Sequence, residues 1–153
     1  MDKLYVKEGM TLLELLLVVV IVVMLATLGM PFFTTAKHNL SLKGTARSLA
    51  SFILMAKNRS IRGGKISLDF SNEHEIRMCN GNSCYCDLPQ QSLHVSADIS
   101  LESPLSCFFF DRGFPKRPGG PFAALVITLT HNKTNRCFVV VISKTGRVRV
   151  DDC

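Results

Sequence analysis

A run of apolar residues from position 12 to 30, interrupted only by Glu14, Thr27 and Gly29, limits what this chain can become. As a helix, about 20 residues rising 1.5 Å each span roughly 30 Å, the thickness of a bilayer core. A secretory signal peptide has a shorter apolar core, followed by small residues at its cleavage site. Here the run is longer and leads into Met30-Pro31-Phe32-Phe33, which is no such site. Lys3, Lys7 and Glu8 precede it. The run therefore reads as a membrane-spanning helix. Lys37, Lys43 and Arg47 lie on its far side, so flanking positive charge does not choose an orientation.

Glu14 is the informative interruption. A carboxylate held within a membrane span costs roughly 2.5–3.5 kcal/mol on insertion scales, so such a residue has a partner, a task, or a route to the interface. The surrounding string, Gly9-Met10-Thr11-Leu12-Leu13-Glu14, resembles the processing signal of type IV prepilins and type II secretion pseudopilins. That resemblance implies cleavage by a prepilin peptidase between Gly9 and Met10, N-methylation of Met10, and no cofactor. It places Glu14 at the family's characteristic glutamate and Pro31 where many pilins carry a helix-bending proline. It also implies assembly with other pilins or pseudopilins. The Glu14 carboxylate of one subunit would meet the Met10 amine of a neighbour, two charges that compensate each other in an apolar core.

Beyond the span, Ala36, Leu40, Leu42, Ala46, Leu49, Ala50, Ile53 and Ala56 recur at mostly three- and four-residue steps, with Lys and Arg between them. This is an amphipathic helix with one face against a small domain, stopped by Gly63-Gly64. From Lys65 the period changes to two. Strands are expected at 65–70, 75–79, 93–99, 107–110, 123–130, 137–143 and 147–150, with a Pro/Gly-rich basic loop at 115–121. The expected fold is α+β: a long N-terminal transmembrane and amphipathic helix packed on a small antiparallel β-sheet domain. The segments are a leader at 1–9, a transmembrane or filament-core helix at 10–31, the amphipathic half of the helix at 32–63, and a β-rich domain at 64–153.

Two further strings, Phe109-Phe110-Asp111-Arg112-Gly113 and the run from Val139 through Gly146 to Arg149, resemble strand ends of the H-type pseudopilins and the FimT/FimU minor pilins. The resemblance narrows the expected fold to type IV pilin-like and the function to two possibilities. One is a minor pilin of a type IV pilus. The other is a minor pseudopilin of a type II secretion system. Both imply a single-pass inner-membrane protein with a periplasmic C-terminal domain, extractable into a pilus or pseudopilus.

All six cysteines follow the apolar run, as suits disulfides in an oxidising compartment. Free buried thiols and a zinc site are the rivals, but Cys84-Tyr85-Cys86 is too tight for the usual two-residue ligand gap. The pairs expected are Cys79–Cys84 across the Asn80-Gly81-Asn82-Ser83 turn, Cys137–Cys153 around the last hairpin, and Cys86–Cys107.

No catalytic set is visible. His38, His74, His94 and His131 are scattered, no nucleophile motif or phosphate loop occurs, and Glu73-His74-Glu75 reads as a solvated turn rather than a metal cluster. A single-pass membrane enzyme or receptor is the reading this disfavours. The charge is more telling. Between Arg112 and Val150 there are eight basic residues and no acidic one, before Asp151 and Asp152. On a strand, Arg147 and Arg149 share a face. With Lys144, Arg136 and Lys133 they make a candidate phosphate-tracking surface for sequence-nonspecific DNA binding, or else a solvated basic face. Gly146-Arg147-Val148-Arg149 also resembles the Gly-Arg-x-Arg motif of DNA-binding FimT-type minor pilins.

Overall fold

The computed structural model describes residues 11–81, 83–84 and 89–153, leaving aside the side chains of 28–32. Among the described residues, one helix, α1 (Leu12–Gly63), is followed by nine strands. Contacts divide the chain after Lys37, so the second half of α1 belongs with the strands in the unit His38–Cys153.

In the first unit, the Thr11 hydroxyl accepts from the Glu14 N–H at 3.3 Å and caps the helix. Thr11 and Glu14 have the spacing of a capping box, in which an acidic third helical residue also suits the positive end of the helix dipole. The apolar side chains that follow are exposed on every face of the helix, from Leu12 at 81% to Leu25 at 64%. Among the described residues no helix has an 18-residue window apolar enough to cross a membrane.

In the second unit, α1 buries Leu42, Ala46, Leu49, Ile53, Ala56 and Ser60, steps of three and four that trace one stripe. Phe52 joins them, whereas Leu40, expected on this face, is 71% exposed, and Ala36 is exposed too.

The strands form two antiparallel sheets rather than one meander. Strands β1 (Lys65–Asn72), β2 (Glu75–Asn80), β3 (Gln91–His94), β5 (Cys107–Asp111) and β6 (Phe114–Lys116) are ordered β3-β2-β1-β5-β6. Strands β4 (Ile99–Glu102), β7 (Leu125–His131), β8 (Cys137–Ile142) and β9 (Val148–Asp152) are ordered β4-β7-β8-β9. The alternation at 93–99, expected as one strand, is two. Val95 and Ile99 are buried but Ala97 is exposed in a turn where the chain passes from one sheet to the other. Strand β6 lies at the start of what reads in sequence as an irregular loop. Its Pro115 sits opposite Phe110 on a sheet edge, where a missing N–H costs no ladder bond.

Both sheets share one core with α1. Ile66, Leu68, Phe108 and Phe110 of the first, and Leu125, Ile127, Leu129, Val140 and Ile142 of the second, join the helix stripe in one cluster. Phe108 stacks on Phe70 at 5.5 Å and meets Phe110 edge-on at 5.4 Å.

The opposite face of β1 is buried as well. Ser67 is fully covered, and its hydroxyl donates to the Ser83 carbonyl at 2.8 Å. Chain from the β2–β3 connection therefore lies over this face. Cys79, opposite Ser67, and Cys107, opposite Asp69, point to the same side. Cys84 is bonded to Cys107, with Cα atoms 5.6 Å apart. That corrects two expected pairs. Cys79–Cys84 fails because the segment after Asn80 folds back over the sheet instead of closing a tight hairpin. Cys86–Cys107 fails because Cys107 is taken. Cys79 is disulfide-bonded to another partner, and Cys86 lies outside the described residues. Cys137 and Cys153 are joined, tying the start of β8 to the residue after β9.

Candidate functional site

The turns that follow β5 and β8 meet over the end of α1. Arg112 and Gly113 take positive φ angles of 51° and 86°, and Gly146 one of 74°. A Cβ on Gly146 would run into the Gly113 carbonyl oxygen, and one on Gly113 would come within 2.8 Å of Ile61. Only glycine fits the close approach at either place. The helix supplies the bonds. The buried Ser60 hydroxyl accepts from Gly113 N–H at 2.9 Å and donates to the Lys57 carbonyl at 2.7 Å. Lys57 Nζ donates to the Gly146 carbonyl at 2.8 Å.

This clamp fixes the β8–β9 turn and what it carries. The Ser143 hydroxyl accepts from Arg147 N–H at 3.0 Å, and Gly146 N–H donates to the Ser143 carbonyl at 2.8 Å. Val148 and Val150 pack against the core, so alternation sends Arg147 and Arg149 outward. With Lys144, Ala124 and Val141 they line a shallow groove. Arg149 pairs with Asp151 at 2.9 Å, in the open. Among the described residues, Arg147 and Lys144 make no ion pair.

Lys133 and Arg136 do not belong to this surface. They lie in the β7–β8 turn, where His131 N–H donates to the Arg136 carbonyl and Lys133 reaches Asp98 at 3.5 Å. Lys144 and Arg147 lie at the other end of β8, roughly 20 Å away at 3.3 Å per residue. The five basic residues expected to act together therefore divide into two groups.

The groove continues instead toward β6. Arg117, Phe122, Ala124 and Lys144 line the adjoining hollow. Phe122 is bridged back to Lys116, and its ring meets that of Phe114 edge-on at 5.3 Å. Lys116 Nζ sits 5.1 Å from the Phe122 ring centre and 2.7 Å from the Asp111 carboxylate. The bond from Lys116 holds the Asp111 carboxyl below the usual carboxylate range, helped by the nearby charges of Lys116, Lys65 and Arg112. No local signal in the sequence marks this aromatic pair, because an apolar residue type does not say whether the fold covers it.

Two solved structures share this architecture. The type IV minor pilin FimU of Pseudomonas aeruginosa (strain PAO1) superposes with a TM-score of 0.59 at 15% identity, over 72% of this chain and 87% of that one. The minor pseudopilin EpsH from the type 2 secretion system of Vibrio cholerae does so with a TM-score of 0.54 at 10% identity, over 73% and 97%. The chain has the type IV pilin-like fold. No protein-family model and no curated protein matches its sequence.

Glu14 is exposed in the first turn of α1, and among the described residues it has no ion-pair partner. Gly9 and Met10 lie outside the described residues. His74 is exposed in the β1–β2 turn, where its N–H donates to the Asn72 side chain at 3.0 Å. His38 and His131 are not scattered. Their rings pack at 4.6 Å, with His131 buried and its Nδ1 accepting from Lys133 N–H at 3.2 Å. That contact fixes the β7–β8 turn against α1.

Proposed function

We propose that this chain is a minor pilin-like subunit of a type IV pilus, assembling through the N-terminal part of α1. The supporting observation is a helix whose apolar side chains are exposed all round, with one carboxylate in its first turn. Such a surface needs lipid or other apolar helices as its surroundings. In this reading a prepilin peptidase cuts between Gly9 and Met10, and the new amine is methylated. The run 12–30, which extends past the described side chains, spans the inner membrane. The disulfide-bearing domain lies in the periplasm until the subunit is drawn into a filament. There Glu14 pairs with the terminal amine of a neighbour and sets the axial register. The subunit is structural, not catalytic. Mass spectrometry of the protein purified from membranes tests the reading. A chain starting at methylated Met10 supports it, and a chain that keeps residues 1–9 overturns it.

The likeness to EpsH favours a second reading, a minor pseudopilin of a type II secretion system. Deleting the gene separates the two: loss of pili supports the first, and loss of protein secretion with pili intact supports the second.

The basic groove adds a role to the first reading. Lys144, Arg147 and Arg149 bind the phosphate backbone of DNA without regard to sequence. Three cations facing solvent along one groove, two of them without an ion pair among the described residues, support this. The full chain in nonionic detergent should bind DNA at low salt, and Arg147→Gln with Arg149→Gln should weaken that binding. Absence of any complex at low salt removes this role and leaves the filament reading intact.

A further inference from the structure

Phe114 and Phe122 are 45% and 48% exposed, on a domain that buries most of its other phenylalanines. They lie side by side at the edge of the first sheet, outside the core cluster formed by the described residues. Their surroundings are specific. Lys116 is held by Asp111 and lies against the Phe122 ring, so the aromatic side chain is braced by an ion pair. Phe122 shares one hollow with Arg117 and Lys144, and Lys144 shares the next with Arg147 and Arg149. A path of exposed cations thus ends on a pair of exposed rings.

We propose that Phe114 and Phe122 form a base-stacking platform, making this surface a site for single-stranded nucleic acid. The proposal rests on the phosphate-binding role of the groove and adds a ligand class to it. The chemistry is complementary on both counts. A single strand offers a polyanionic backbone for the cations and unpaired flat bases for the rings, and every base has a face to stack. A duplex keeps its bases stacked on one another, out of reach of side chains at its surface. Asp111, the carboxylate that shares a hollow with the rings among the described residues, is already engaged by Lys116, so it does not repel the backbone. An uncharged apolar partner would use the rings but leave the flanking cations without a role.

Charge alone predicts the opposite preference, because a duplex carries the denser phosphate array. The test uses the full chain in nonionic detergent at low salt. Fluorescence anisotropy follows a labelled oligothymidylate of about 20 nucleotides, enough for one small site, and a duplex of the same length. The parent should bind the single strand at least as tightly as the duplex. Phe122→Leu and Phe114→Leu should each weaken single-strand binding by about fivefold or more, the expected effect of losing one stacked base, with duplex binding unchanged. Arg147→Gln with Arg149→Gln should weaken both. If the Phe variants bind the single strand like the parent while the Arg variant loses both probes, the platform is wrong and phosphate binding stands. Equal loss of duplex affinity in the Phe variants also overturns the platform. Failure of the parent to bind either probe overturns both readings.

Discussion

Lys57 Nζ, on α1, donates to the carbonyl oxygen of Gly146 in the β8–β9 turn at 2.8 Å. Three residues on, Ser60 binds the Gly113 turn of the other sheet. The two strings that resemble pilin strand ends, one finishing at Gly113 and the other running through Gly146, are therefore neighbours, and the helix holds both.

Gly146→Ala should be among the most damaging single-atom-group additions to this domain. Its positive φ disfavours any side chain, and the Gly113 carbonyl occupies the space a Cβ needs. The expected loss is roughly 2 kcal/mol or more. Lys57→Met keeps the aliphatic stem but removes the bond to a part-buried carbonyl, and should cost about 1–2 kcal/mol. Urea denaturation of the two variants measures both. Equal stability of Gly146→Ala and the parent would contradict the clamp.

Glu14→Leu should still enter the membrane, since it only increases apolar character. It should be poorly incorporated into filaments, because the amine of a neighbouring subunit loses its counter-charge. Comparing the membrane and sheared-filament fractions reads this directly. Wild-type levels in the filament fraction would exclude a pairing role.

The cysteine pairing can be read by peptide mapping without reduction. A fragment joining Cys84 to Cys107 and another joining Cys137 to Cys153 are expected. Replacing the second pair with serine should cost about 3 kcal/mol, the loop-closure value for a bridge of this span. It should act first on β9, which among the described residues pairs with β8 alone.

Acid should loosen the edge of the first sheet. The Asp111 carboxyl titrates below its unfolded value of 3.8, so its bond to Lys116 contributes stability above that pH. The contribution disappears as pH falls through the lower folded-state value. Asp111→Asn should therefore be less stable than the parent at neutral pH and should approach it below pH 3.8. Thermal midpoints across that range provide the measurement.

Phosphate binding at the groove should be steeply salt-dependent. Each phosphate neutralised on duplex DNA contributes a slope of about −0.9 to log K against log salt. Removing Arg147 and Arg149 should flatten the slope by nearly twice that, whereas Lys133→Gln and Arg136→Gln, at the far end of β8, should leave it unchanged. A slope sensitive to all four alike would mean that the two ends act together.

Much of the helix and most strands were legible because their signals are local. The three-and-four spacing of Leu42, Ala46, Leu49, Ile53 and Ala56 and the alternation of Ile66, Leu68 and Phe70 each follow from one element meeting one core. Pairing between distant strands leaves no such trace. Nothing near Cys84 reveals that the chain folds back over β1 to reach Cys107. Nothing near Ala97 reveals that the chain changes sheet there. The basic residues were visible as a cluster in sequence, yet the length of β8 separates Lys133 and Arg136 from Lys144 and Arg147. Nothing local marks Phe114 and Phe122 as exposed, because apolar character is a property of the residue, whereas exposure depends on what the fold leaves uncovered.

The meeting of Gly113 and Gly146 beneath Lys57 and Ser60 also has a mechanical consequence. A tensile force carried down α1 reaches both sheets through bonds one helical turn apart. Both sheets are then loaded together, so the domain should resist traction as one body and give way abruptly.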